Sequence, residues 1–163
     1  MPATPEDLFA RLDALNIATT THEHPPLHTV EESRRLRGAL PGGHCKNLYL
    51  RDKKKRNWLL VTLEDREVDL KAVSTLLGAG RLSFGSADRL MEFLGVTPGS
   101  VTPFALINDP EQRVTVVLDA AMLKVDPLNY HPLVNTATTA IAPHDLLAFI
   151  RAGGHAPRIV ALG

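Results

Sequence analysis

Lys46 and Asn47 open an apolar stretch, Cys45-Lys46-Asn47-Leu48-Tyr49-Leu50, whose alternation reads as a strand. An ammonium there can grip a phosphate as a compact point charge, and the amide offers one donor and one acceptor group. Because strand side chains alternate, one of the two must face inward. Farther along, Gly99-Ser100-Val101-Thr102-Pro103 forms a Gly-xxx-Pro turn. A glycine allows close main-chain approach, and free N–H groups in such a turn can stabilise an oxyanion. His131 begins the Asn- and Thr-rich run His131-Pro132-Leu133-Val134-Asn135-Thr136-Ala137-Thr138-Thr139-Ala140-Ile141. Its imidazole is either a half-buried packing group or the lining of a pocket opposite Lys46. Asn135 can hydrogen-bond pocket backbone, and Thr136, Thr138 and Thr139 suit a β-favouring strand face.

Other chemistries find less support. No Gly-x-Ser-x-Gly elbow or serine–histidine–acid pattern is present. His22 and His24 would share one strand face near His28 and Cys45, but no Cys-xx-Cys or His-Glu-xx-His spacing accompanies them, so no metal and no cofactor is expected. Cys45 should face away from Lys46 and is read as core.

The elements that position these groups follow from local signals. Thr4 caps a first helix with Pro5 at its first position, Glu6 and Asp7 complement its dipole, and Asn16 closes it. Ile17–Glu23 reads as a strand, and His24-Pro25-Pro26-Leu27 as an extended loop. A second helix starts from a Thr29/Glu32 capping box and ends at Gly38. Strands His44–Arg51 and Asn57–Leu63 form a hairpin. Asp69 starts a helix through Leu77, Leu82–Phe84 is a short strand, and Ser86 caps a helix over Ala87–Leu94, stopped by Gly95. Phe104–Asn108 and Val114–Asp119 are expected to form a second hairpin across Asp109–Gln112. Asn129–Asn135 and Thr138–Ile141 are further strands, Pro143–Ala152 a helix, and Ile159–Leu162 a closing strand. Strands arriving as hairpins between short helices predict an α+β fold with a mixed, largely antiparallel sheet.

The 163 residues fit one domain, 1–163, with no linker or repeat, and one cysteine excludes an intrachain disulfide framework. The N-terminus lacks the pattern of a signal peptide, and no apolar run reaches the ~18 residues of a membrane span, so a soluble, cytoplasmic protein is expected. Net charge is zero, yet residues 31–60 carry nine Lys/Arg against three acids. Such a patch suits a polyanion touched over a small footprint, although Lys53-Lys54-Lys55-Arg56 also reads as a solvated hairpin tip. The Arg34-Arg35-Arg37 helix and Lys46 are harder to explain by solvation alone.

The order and spacing of the Lys46-Asn47 strand, the Gly99–Pro103 turn and the His131 run resemble the YbaK/prolyl-tRNA-synthetase-associated editing domain family, from about Leu8 to Phe149. The similarity is greatest to its free-standing branch acting on alanine attached to proline tRNA. The resemblance implies a barrel-like curl of the sheet with helices outside. It also implies an aminoacyl-tRNA deacylase in which Lys46 holds the terminal nucleotide and Asn47 orients the ester carbonyl or a ribose hydroxyl. Gly99 and Pro103, with Ser100, Val101 and Thr102 between them, would line the acyl pocket, and His131 would face Lys46. Arg51 and Arg81 would be outer phosphate contacts, by resemblance and charge. Water attack assisted by a tRNA hydroxyl is the implied reaction. The implied partner is the acceptor end of mischarged tRNA(Pro), with prolyl-tRNA synthetase or an elongation factor as further candidates. The sister branch acting on Cys-tRNA, a non-catalytic tRNA- or synthetase-binding module, and a metal-dependent hydrolase are the alternatives.

Overall fold

A computed structural model describes residues 2–26 and 30–162. Helix α1 (Pro5–Ala14) begins where the sequence places it: the Thr4 hydroxyl accepts the Asp7 N–H while the Asp7 carboxylate accepts the Thr4 N–H at 2.9 Å. Strand β1 (Thr20–Glu23) is shorter than expected and lies wholly exposed. Helix α2 (Val30–Ala39) runs one residue past Gly38, and its expected cap at Thr29 falls outside the described residues. Strands β2 (Gly43–Arg51) and β3 (Asn57–Leu63) form the expected hairpin, with Lys46 opposite Thr62 and Asn47 opposite Val61. Asp69 caps α3 (Leu70–Leu77), and Gly78 ends it in the left-handed conformation. Strand β4 (Ser83–Phe84) and helix α4 (Ala87–Leu94), capped by Ser86 and stopped by Gly95, follow.

The second hairpin is not formed. Phe104–Asn108 belongs to a 3-10 helix, Pro103–Asn108, and β5 (Val114–Asp119) pairs in parallel with β3 instead. Phe104, Ala105 and Leu106 are all buried, and a continuous apolar run carries no period that separates strand from helix. Pro103 at the first position, and the Thr102 hydroxyl accepting the Phe104 N–H at 3.2 Å, favour the helical start. The expected Asn129–Asn135 strand is also cut short. β6 spans Leu128–Tyr130, because Pro132 cannot donate to a ladder and Leu133 takes a φ of +72°. β7 (Ala137–Ile141), α5 (Pro143–Ala152) and β8 (Arg158–Val160) complete the chain.

The strands pair in the order β1-β7-β6-β2-β3-β5-β8, with β4 added to β2. β1–β7, β6–β7, β2–β3 and β2–β4 are antiparallel, whereas β2–β6, β3–β5 and β5–β8 are parallel. The sheet is therefore mixed, less dominated by antiparallel pairs than expected, and its pairing forms an open path rather than a closed ring. One face carries the larger core, including Tyr49, Leu59, Val61, Phe104, Tyr130 and Leu146; the other carries a smaller one around Leu50, Trp58, Leu60 and Val117.

β2 joins two parts of the sheet. Its first two residues pair with β6 as Gly43 to Leu128 and His44 to Asn129, and the Asn129 amide donates to the carbonyls of Pro41 and Gly43 at 3.0 Å. Gly42, at φ +97°, leaves no room for a Cβ beside the Pro127 carbonyl oxygen and ring. Gly42→Ala therefore combines backbone strain with a clash against main chain, and is expected to lower stability by about 1–3 kcal/mol in chemical denaturation.

Candidate functional site

The β2–β6 ladder ends at His44 and Asn129, and beyond it the two chains part. β2 runs on to Arg51, while the other chain leaves the sheet after Tyr130. Lys46 and His131 each lie two residues beyond the last pair, His44 with Asn129, on their respective chains. Lys46 shares its face of β2 with Leu48 and Leu50, and Leu50 is a member of the smaller core. Opposite Lys46, the buried Thr62 hydroxyl donates to Asp119 at 2.7 Å, and Arg66 holds the same carboxylate at 2.9 Å. Asn47 takes the other face, beside Tyr49, where its carbonyl oxygen Oδ1 is buried without a partner among the described residues. The inward-facing member of the pair is thus Asn47, with its acceptor uncommitted.

His131 is fixed by its own loop. Its Nδ1 lies 2.9 Å from the Ala137 carbonyl oxygen, which can only accept, so Nδ1 carries the proton and Nε2 is the acceptor of the neutral ring. Burial pushes its pKa below the ordinary 6.5; the Ala137 carbonyl opposes that shift and the neighbouring His24 adds to it. A lowered histidine pKa means the unfolded chain binds more protons between the folded-state value and 6.5, so this group makes stability rise with pH across that window. In a proton–nitrogen NMR titration, His131 is expected to titrate below 6.5; a midpoint at or above that value contradicts its buried setting.

The Gly99–Pro103 turn comes against the same loop. A Cβ on Gly99 would lie 3.4 Å from the Asn135 side-chain nitrogen. Ser100, Thr102 and Pro103 are buried, and Val101 packs against the larger core. The Ser100 N–H is committed to the Thr97 carbonyl at 2.9 Å, which withdraws it from an oxyanion role.

Two of the expected residues lie elsewhere. Arg51 sits five positions along β2 from Lys46, about 17 Å away at strand spacing. There it donates to Asn57 at 2.8 Å and covers the Phe93 ring at 5.4 Å. Arg81 is exposed and lines a separate groove of about 580 Å³ beside α3. Lys53, Lys54 and Lys55 are exposed on the hairpin tip, whereas Arg56 is drawn onto the buried Asp52 at 2.7 Å. The Arg34 and Arg37 side chains lie outside the described residues. Cys45 packs against the larger core, and burial pushes its thiol up to about 11, which disfavours a nucleophilic thiolate.

His24 is the residue that sequence reasoning passed over. Its ring lies 6.3 Å from that of His131, with Nε2 2.8 Å from the Thr138 hydroxyl. The His22-x-His24 spacing drew notice only as a metal pattern, and among the described residues no group of three or more such ligands could hold an ion. No helix of the described residues is long and apolar enough to cross a membrane.

The sequence profile of the aminoacyl-tRNA editing domain matches residues 24–149. Prolyl-tRNA synthetase associated domain-containing protein 1 of Mus musculus is 40% identical over 159 residues, covering 94% of each chain. The prolyl-tRNA editing protein ProX of Acetoanaerobium sticklandii is 36% identical over 156 residues, covering 95% of each. A crystal structure described as a proposed trans-editing enzyme for prolyl tRNA synthetase superimposes with a TM-score of 0.73 over 100% of both chains at 21% identity, which shows the shared fold.

Proposed function

The chain belongs to the aminoacyl-tRNA editing domain family, and from that footing we propose that it is a trans-acting hydrolase cleaving the ester of mischarged tRNA, with alanine on proline tRNA as its substrate. The observation that supports the reading is that Lys46 and His131 each lie two residues beyond the last β2–β6 pair, in a chain 36% identical to a prolyl-tRNA editing protein. Water adds to the ester carbonyl and the carbon–oxygen bond to the terminal ribose breaks. Free amino acid and a restored ribose hydroxyl result. The protein's part is to position the ester, with a tRNA hydroxyl assisting the water.

Lys46 would hold the phosphate of the terminal adenosine, whereas Asn47, expected to orient the ester carbonyl or a ribose hydroxyl, lies on the opposite face of β2 with its oxygen buried and would reach neither directly. His131 would present Nε2 to the ammonium or hydroxyl of the aminoacyl end. Gly99 through Pro103 would bound the acyl pocket, and Arg51 and Arg81 would serve only phosphates distant from the ester. A synthetase built for proline cannot strongly reject the smaller alanine, since missing methylenes are worth about 1–3 kcal/mol, whereas a smaller second pocket excludes proline by size. Prolyl-tRNA synthetase or an elongation factor would deliver the tRNA in the cytoplasm, and residues 1–163 would act as one domain.

Hydrolysis of Ala-tRNA(Pro), Cys-tRNA(Pro) and Pro-tRNA(Pro) tests this reading. Selective loss of alanine is expected. Selective loss of cysteine assigns the sister activity, and no hydrolysis of any of the three overturns the enzymatic reading in favour of a binding module.

A further inference from the structure

Strand β1 buries none of its side chains, so apolar packing does little to hold it. Its ladder to β7 runs from Thr20 opposite Ala140 to Glu23 opposite Ala137, and just past the ladder three polar ties converge on one half-buried residue, His24. The His24 N–H donates to the Thr136 carbonyl at 2.9 Å. Its Nδ1 lies 2.8 Å from the Pro25 carbonyl oxygen, which fixes the proton on Nδ1. Nε2 of the neutral ring then accepts the Thr138 hydroxyl at 2.8 Å. His131 meanwhile donates to the Ala137 carbonyl. The two histidines therefore clasp one three-residue stretch, 136–138, with their rings 6.3 Å apart and tilted by 57°.

The loop thus fastened needs a fastener. It leaves the sheet through Pro132 and Leu133, the latter at a positive φ uncommon for a branched side chain, and no strand partner follows until Ala137. We infer that His24 is a positioning residue for His131: by holding residues 136–138 and packing against the ring, it keeps Nε2 of His131 as the acceptor facing the aminoacyl end. This rests on the deacylase reading above. His24 itself touches no reacting atom. It acts through the Ala137 carbonyl and the ring contact.

His24→Phe keeps an aromatic ring, somewhat larger than the imidazole, and removes both nitrogens, while His24→Gln restores an acceptor for the Thr138 hydroxyl. Long-range proton–nitrogen spectra report the tautomer of His131 whether or not the protein is active. The wild type is expected to show His131 only as the Nδ1–H form. His24→Phe is expected to show a mixture of tautomers and a kcat for Ala-tRNA(Pro) lower by up to about 100-fold, the scale of a misplaced catalytic contact, with KM little changed. His24→Gln is expected to recover most of both. An unchanged His131 tautomer in folded His24→Phe, or a tautomer lost equally in both variants, overturns the inference. Absence of hydrolysis by the wild type overturns the deacylase reading alone, because the spectra still decide the role of His24.

Discussion

Asp109→Ala is expected to destabilise the fold by about 3–5 kcal/mol, the cost of removing a buried carboxylate that holds three segments by hydrogen bonds. The carboxylate is 1% exposed. One oxygen accepts the Arg113 N–H at 2.9 Å; the other accepts the Val114 N–H at 2.9 Å and faces Nε2 of the buried His155 at 3.0 Å. Three segments meet there: the end of the Pro103–Asn108 helix, the start of β5, and the chain leaving α5. Removing the carboxylate strips the Arg113 and Val114 N–H groups and Nε2 of the buried His155 of their acceptor. Asp109→Asn keeps the shape but turns an NH2 group toward donors, so it is expected to fall well short of the wild type too. Urea denaturation of both variants measures the effect. A loss under about 1 kcal/mol for the alanine variant would mean that water replaces the carboxylate, contrary to its burial. Because the Pro103–Asn108 helix begins at the Gly99–Pro103 turn, the damage should also reach the proposed acyl pocket.

Lys46→Ala is the second large effect, and it should leave the fold intact. The side chain is half-buried and lies opposite Thr62, whose own hydroxyl is already satisfied by Asp119. Losing the ammonium therefore orphans nothing in the core. What it removes is the cation proposed to hold the terminal phosphate. Hydrolysis of Ala-tRNA(Pro) is expected to fall by about 10²–10³-fold, the scale seen when a single preorganised charge-stabilising contact is lost. The thermal midpoint should shift little. Full activity in the variant would remove Lys46 from the site, and a large fall in stability would make it a structural residue instead.

How much of this could be read beforehand depends on whether the deciding interaction is local. Thr4, Asp69 and Ser86 announce their helices because each cap is a bond to an amide two or three residues away. The β2–β3 hairpin is equally local. The partner of β5 is not: Val114–Asp119 has the composition of any buried strand, and nothing in it chooses β3 over the preceding segment. Lys46, Asn47, the Gly99 turn and His131 could be picked out by type and order. Their relation could not, since it depends on where the β2–β6 ladder stops, and Pro132 hints at that only for one of the strands. Arg51 and Arg81 are expected as outer phosphate contacts by resemblance and charge, and neither signal carries the strand length that separates Arg51 from Lys46. The contacts of His24 are not legible in the sequence because its partners, Thr136 and Thr138, lie more than a hundred positions away.

The two-pair junction between β2 and β6 makes the sheet mechanically uneven. Lys46 belongs to the longer-laddered half with β3 and β5, whereas His24 and His131 belong to the half built by β1, β7 and β6. A brief opening at Gly43 and His44 would swing one half against the other like a jaw, changing the gap between ammonium and imidazole while leaving each half folded. Amide hydrogen exchange should then report two tempos: slow release from Leu59, Leu60 and Val61, buried between two long ladders, and faster release along β1 and β7.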